Sequence, residues 1–236
     1  MKLTVIHGSP RKGNTYHAAQ QFLTELRKCD ADLAVREFFL PQDLPEFCRG
    51  CMACVLKSET LCPHAKYVQP ILEAMLESDA LLFTTPVYVM APSGGMKNFL
   101  DHFPYLYMVH RPRPEMFRKK AAILSTAAGA GMRSAMKPIA VSLRYWGVGT
   151  VCRLGFRILA ENWDDIPPER VQKNNGRLKK AARKFYSSVQ KKPSRPPVPV
   201  RLMFHMFRSM HARGWDIPAD RGYWERQGWL GNKRPY

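Results

Sequence analysis

The sequence predicts an α/β protein built on an open parallel sheet of five strands wound on both faces by helices. Three observations predict it. Short apolar runs alternate with segments of helical periodicity along the first 190 residues. Two of the runs, Ala80-Leu81-Leu82-Phe83 and Ala121-Ala122-Ile123-Leu124, are apolar throughout, as parallel strands covered on both faces require. Finally, five strands fit the order 2-1-3-4-5 better than a six-stranded dinucleotide fold, and the crossovers should be right-handed.

Each element has its own warrant. Lys2 to His7 is a short apolar strand ending at Gly8, followed by the turn-rich loop Gly8-Ser9-Pro10-Arg11-Lys12-Gly13-Asn14-Thr15. Asn14 or Thr15 can cap a helix running to about Lys28, with Ala18, Ala19, Phe22, Leu23 and Leu26 on one face. Leu33 to Leu40 reads as the second strand. Tyr67 to Glu77 places Val68, Ile71, Leu72 and Met75 at helical spacing, and Asp79 to Thr85 is the third strand. Gly95 to Phe103 reads as a helix, Lys120 to Thr126 as the fourth strand, and Met132 to Trp146 as another helix. Val148 to Ile158 is the fifth strand, and Pro168 to Gln190 a basic helix. This core is expected over 1–190. Pro-rich residues 191–199 read as a semi-rigid extended linker. The extension 200–236 contains a short amphipathic helix around Leu202, Met203, Met206, Phe207 and Met210, and is expected to pack on its own core or on a second subunit, the alternatives being a lid over the active site or membrane-surface contact through the basic helix.

The chain has 236 residues and a formal charge of +18, with thirteen Lys or Arg and no Asp or Glu between Arg170 and Arg213. Such a surface attracts anions: a nucleotide phosphate, an acidic partner, anionic lipid or nucleic acid. No apolar run reaches the ~20 residues of a spanning helix. The start has no signal-peptide character, so the expected location is cytoplasmic. In that compartment six cysteines read as metal or redox chemistry rather than staples. Cys29 and Cys152 read as small buried hydrophobes.

Ligands of open parallel sheets bind beyond the carboxyl ends of the strands, and three loops there carry suitable residues. Gly8 to Thr15 can turn backbone N–H groups and hydroxyls toward a phosphate at a helix N-terminus, with Arg11 or Lys12 adding charge. It has neither a Walker ending nor a G-x-G-x-x-G. Pro86 to Met90 offers exposed backbone and Tyr88 to a flat ring. Ser125 to Gly131 is made of small residues that let a planar ligand approach. A phosphate at the first loop and a ring at the others describe flavin mononucleotide.

Four cysteines fall within fifteen residues: Cys48, Cys51, Cys54 and Cys62, the last followed by Pro63. Thiolates are soft ligands, and the bacterial ferredoxin run shares the first three spacings and the closing Cys-Pro. Three readings stay open: a [4Fe–4S] cluster on four thiolates, structural zinc, or a metal-free redox loop in which Cys51 and Cys54 can form a disulfide. His64 reads as a surface loop histidine, and His102 as a helix-surface or interface histidine.

Gly8 to Thr15, Cys51-x-x-Cys54, Pro86-Val87-Tyr88 and Lys97-Asn98-Phe99-Leu100-Asp101 together resemble the NADPH-dependent FMN reductases, which are flavodoxin-like oxidoreductases. The cysteine loop is similar to that of their iron–sulfur flavoprotein branch. The resemblance covers roughly residues 1 to 160 and offers no counterpart for the aromatic extension. Many relatives carry an acidic pair after the last cysteine; here His64, Ala65, Lys66 and Tyr67 stand instead. The resemblance implies a non-covalent FMN, with Ser9, Arg11, Asn14 and Thr15 at its phosphate. Pro86, Val87, Tyr88 and Val89 would lie along the ring, with Thr126 and Gly129 at the third loop. It implies electron transfer from NAD(P)H through FMN, with or without a cluster, to a quinone, another flavin or an aromatic acceptor. No catalytic side chain is obligatory, because the cofactor carries the chemistry. It also implies a homodimer or homotetramer with Lys97 to Asp101 near a neighbouring chain. A different class is a redox-sensing binding protein whose basic surface contacts nucleic acid or an acidic partner.

Overall fold

The computed structural model describes residues 1–191 and 195–236. Its sheet has five strands, all parallel, in the order β2-β1-β3-β4-β5. The strands are β1 (Lys2–His7), β2 (Ala34–Phe39), β3 (Ala80–Pro86), β4 (Lys120–Ala127) and β5 (Thr150–Arg157). β3 and β4 are buried along almost their whole length, whereas the edge strand β2 exposes alternate residues. That contrast is what their sequences anticipate.

Helices α1 (Asn14–Arg27) and α6 (Pro168–Gln190) cover one face. Helices α3 (Ala65–Glu77), α4 (Gly94–Asp101) and α5 (Met132–Tyr145) cover the other, and α2 (Ala53–Leu56) is a single turn inside the cysteine loop. The first face packs Leu3, Val5, Leu82 and Leu124 against Phe22, Leu26, Leu178 and Phe185. The second packs Ile6, Phe83 and Ile123 against Ile71, Met75, Phe99 and Ile139.

Three local expectations are corrected. The N-cap of α1 is Gly13, with no side-chain cap, because Asn14 and Thr15 spend their side chains on distant partners described below. The extended linker does not reach Pro199: Val198 and Pro199 form the first turn of α7 (Val198–Ala212), where proline is tolerated because its missing N–H has no intrahelical acceptor. The part of the linker at 192–194 lies outside the described residues. Cys29 and Cys152 are only partly buried.

The extension packs on its own chain through a small third core. Phe204 of α7 stacks on Trp224 of α8 (Pro218–Arg226), with ring centroids 5.1 Å apart, and both join Met108, Phe117 and Trp229. The polar ends of the buried aromatics are satisfied by the segment before β4: Trp224 Nε1 donates to the His110 carbonyl (2.6 Å) and the Tyr223 hydroxyl to the Pro112 carbonyl (2.7 Å).

At the opposite end of the sheet from the loops of interest, the buried Lys119 ammonium donates to the carbonyls of Leu76 (2.8 Å) and Ser78 at the end of α3. Burial pulls its pKa down to about 8 from 10.5, opposed by Glu115 and Asp79. Between those values the folded chain holds fewer protons here than the unfolded chain. The penalty for burying the ammonium is therefore complete below pH 8 and fades as pH rises toward 10.5. Denaturation of wild type and Lys119→Met across this window should show wild type gaining stability relative to the variant. A constant difference would refute the assignment.

Candidate active site

The carboxyl ends of β1, β3, β4 and β5 are tied together by side chains from the loops that leave them. Thr15 at the start of α1 meets Thr126 at the end of β4, hydroxyl to hydroxyl at 2.6 Å in the interior. The Asn14 amide donates to the carbonyls of Ala160 (3.2 Å) and Glu161 (3.0 Å) beyond β5. The Val87 N–H donates to the Thr126 carbonyl (3.1 Å). Ser93, the N-cap of α4, donates its hydroxyl to the Gly8 carbonyl. Gly8 is required there: a Cβ would lie 2.8 Å from the Thr84 carbonyl oxygen and 2.9 Å from the Ser93 hydroxyl.

These ties enclose a hollow of about 300 Å³. It is lined by Ser9, Arg11, Asn14, Thr15, Pro86, Val87, Tyr88 and Thr126, so eight of the ten residues expected around a nucleotide share one cavity. Val89 and Gly129 lie outside its lining. Val89 points to solvent at the tip of a turn. Tyr88 and Ala91 exchange N–H···O bonds of 3.0 Å, and the two residues between them, Val89 and Met90, both have positive φ (48° and 61°). That is the signature of a type I′ turn, which costs a non-glycine residue roughly 1–2 kcal/mol. Gly129 instead receives the Arg157 guanidinium on its carbonyl (2.9 Å). The third loop reaches the cavity through Ala127 and Ala128 and passes into α5 through Gly131, at φ 93°. A Cβ on Gly131 would lie 2.6 Å from Val87 Cγ1.

The sequence reading omitted the fourth wall, Ile158, Ala160 and Glu161 after β5. The carboxyl-end rule that selected the other loops applies equally to the fifth strand and would have found it. Two features suit a phosphorylated, hydroxyl-bearing ligand. The first turn of α1 holds no acidic residue, which suits an anion at that N-terminus; Glu161, on the far wall, is the one carboxylate among the lining residues. The Asn14 carbonyl oxygen is buried with no partner, its NH2 being fixed by two carbonyls, which leaves an acceptor for a hydroxyl donor.

The cysteine loop forms a second hollow, of about 320 Å³, lined by Cys48, Cys51, Cys54 and Cys62 together with His64, Asp101 and His102. All four thiols are free. Among the described residues, no three His, Cys, Asp or Glu side chains lie close enough to hold a single metal ion. Burial, then the neighbouring thiols of Cys62, Cys48 and Cys51, pushes Cys54 up to about 11. Cys48 and Cys51 are exposed. In metal-free protein at neutral pH, iodoacetamide should therefore label Cys48 and Cys51 well before Cys54, by peptide mass spectrometry, and equal rates would contradict the arrangement.

The supports of this loop were not legible in its own sequence. Asn98 of α4 accepts the Cys48 N–H and donates to the Glu46 carbonyl, each at 2.9 Å. Arg111 is buried and donates to the carbonyls of Cys54 and Val55 (3.0 Å) while pairing with Asp220 of α8. Asp220 also meets His110 at 2.7 Å. Glu59 pairs with Arg113 and stands 3.6 Å from Arg111. The expected surface positions of His64 and His102 are corrected: both are buried. His102 Nδ1 lies 2.9 Å from the Asn98 carbonyl and must donate to it. Burial holds this ring below its ordinary pKa and hence neutral, so its Nε2 accepts from His64 Nδ1 at 2.9 Å. One end of α4 is thus tied to the first loop through Ser93, and the other borders the second hollow.

A 2-1-3-4-5 sheet with a ligand-sized hollow at the edge where strand order reverses defines the flavodoxin-like class. Within it, the chain belongs to the NADPH-dependent FMN reductase family, whose model matches residues 1–154. It is accordingly an NAD(P)H-dependent oxidoreductase. An iron-sulfur flavoprotein of Archaeoglobus fulgidus is 26% identical, in a match covering 98% of this chain and 100% of that protein. An iron-sulfur flavoprotein of Clostridioides difficile is 27% identical over 84% of this chain and 83% of its own length. Among solved structures, an azoreductase from Bacillus anthracis shares the fold with a TM-score of 0.61 at 17% identity, covering 78% of this chain and 100% of that one. The Archaeoglobus match corrects the expectation that the C-terminal extension has no counterpart, since it runs across nearly the whole chain.

Proposed function

We propose that the first hollow seats FMN and that the chain passes electrons from NAD(P)H to a quinone, an azo compound or another flavin. The observation that carries this reading is the single cavity shared by the Ser9–Thr15, Pro86–Tyr88 and Thr126–Ala128 segments. Ser9, Arg11 and the N-terminus of α1 would hold the phosphate. The Asn14 carbonyl oxygen would take a hydroxyl of the ribityl chain, and Pro86, Val87 and Tyr88 would lie along the ring. Bound FMN would accept hydride from the nicotinamide and deliver electrons onward. The chain's part is to orient the two rings and to turn backbone N–H groups toward the flavin edge. Val89 and Met90, held outward by their positive φ, form the rim over which an acceptor would enter.

The reading of the cysteine hollow is a cluster. Its four thiols line one cavity, and four thiolates are what a [4Fe–4S] cubane takes. Cys48, Cys51, Cys54 and Cys62 would be its ligands. A homodimer or homotetramer is proposed with α4 near the contact, its Lys97–Asp101 ion pair lying exposed. Anaerobic purification tests the whole reading. Visible flavin bands, about four iron and four sulfide per chain, and NADPH oxidation coupled to a quinone are expected. A colourless protein that binds no added FMN would overturn the flavin assignment, and flavin without iron would overturn the cluster alone.

A further inference from the structure

Helix α7 is packed on one side only. Val200, Phe204 and Phe207 enter the third core, while Val198, Leu202 and Met206 are 55%, 64% and 52% exposed. Their spacing of four places them in one stripe along about 12 Å of helix. Trp215, just past the end of the helix, is 67% exposed. Three large apolar side chains in one stripe, with a further exposed tryptophan on the same extension, are costly to leave in water.

The charges of the extension are predominantly positive. From Arg195 to Tyr236 there are eight Lys or Arg and three acids. Two of the acids, Asp216 and Asp220, are buried in pairs with His211 and with Arg111. The third, Glu225, stands beside Arg221. Arg201, Arg208 and Arg234 gather around His205 on the flank of the helix. Partial burial and these three guanidinium groups hold its imidazole below the ordinary pKa. A second copy would be a poor occupant, because a two-fold contact would set these cations against themselves. Nucleic acid would use the cations but not the stripe.

We propose that α7 is an interfacial helix that docks the protein on an anionic lipid bilayer, with Val198, Leu202, Met206 and Trp215 entering the headgroup boundary and the flanking arginines meeting lipid phosphates. Tryptophan suits that boundary because its ring is amphipathic. Among the described residues no helix is long and apolar enough to cross a membrane, so the contact is peripheral. No residue of the extension lines either hollow, and the proposal stands independently of what they bind.

The test is flotation of the full chain with vesicles of phosphatidylcholine alone and of phosphatidylcholine mixed with phosphatidylglycerol. Binding to the mixed vesicles only, weakening as salt rises, is expected. The double variant Leu202→Glu/Met206→Glu should lose roughly tenfold or more of that binding. Its far-UV circular dichroism and FMN affinity should match wild type. In the unmutated chain, brominated lipid should quench Trp215, and Trp215→Phe should remove that quenching. Absence of binding at low salt, equal binding to both vesicle types, or full binding by the double variant would each overturn the proposal. A double variant that changes only the sedimentation of the free protein would identify the stripe as a subunit contact and overturn it too.

Discussion

Replacing Asp220 with alanine is expected to cost about 3–5 kcal/mol of stability, since it strands a buried charge. Arg111 is almost wholly buried and its guanidinium is shared between Asp220 and the carbonyls of Cys54 and Val55. Glu59 cannot substitute, standing 3.6 Å away and already paired with Arg113. The damage should concentrate at the cysteine loop, because Arg111 is what fastens α2 to the extension. Urea denaturation measures the loss, and hydrogen exchange at 53–57 locates it. The pair Arg111→Met/Asp220→Leu should recover much of the loss, because an apolar pair leaves no charge unpaired. A loss below about 1 kcal/mol for Asp220→Ala, the range of exposed pairs, would show that the ion pair does not hold the loop.

Asn14→Asp should weaken FMN binding by about 2–3 kcal/mol, roughly thirty- to a hundred-and-fiftyfold. The substitution keeps the shape. It removes the two N–H donors that reach Ala160 and Glu161 and sets an anionic oxygen against their carbonyls. It also brings negative charge to the N-terminus of α1, where the phosphate is proposed to sit. Fluorescence titration with FMN reads the effect, and the midpoint of thermal unfolding without ligand separates it from a folding defect. Wild-type affinity in a folded Asn14→Asp protein would remove Asn14 from the site.

The sheet was legible because its signals are local. Ala80 to Phe83 and Ala121 to Leu124 are apolar runs of strand length that suit strands buried on both faces, and Ile71, Leu72 and Met75 repeat at the helical period. The first hollow was legible because one topological rule sends ligands to the carboxyl edge, and eight expected residues converge there. Long-range contacts were not legible. Arg111 and Asp220 are 109 residues apart, and nothing in either neighbourhood marks the other. His64 and His102 looked like surface residues because their burial depends on α4 meeting the cysteine loop, a tertiary event without a sequence period. Val198 and Pro199 read as linker because proline signals a break in a helix interior and a start in its first turn.

The loop Gly8 to Thr15, at the head of α1, is proposed to grip the phosphate of a flavin whose ring lies along Pro86 to Tyr88. Calorimetric titration of apoprotein with FMN and with riboflavin, which lacks only that phosphate, tests it most directly. One FMN per chain is expected, bound at least about a hundredfold more tightly than riboflavin, the worth of two charge-assisted hydrogen bonds. Equal affinities, or no binding of either, would contradict it.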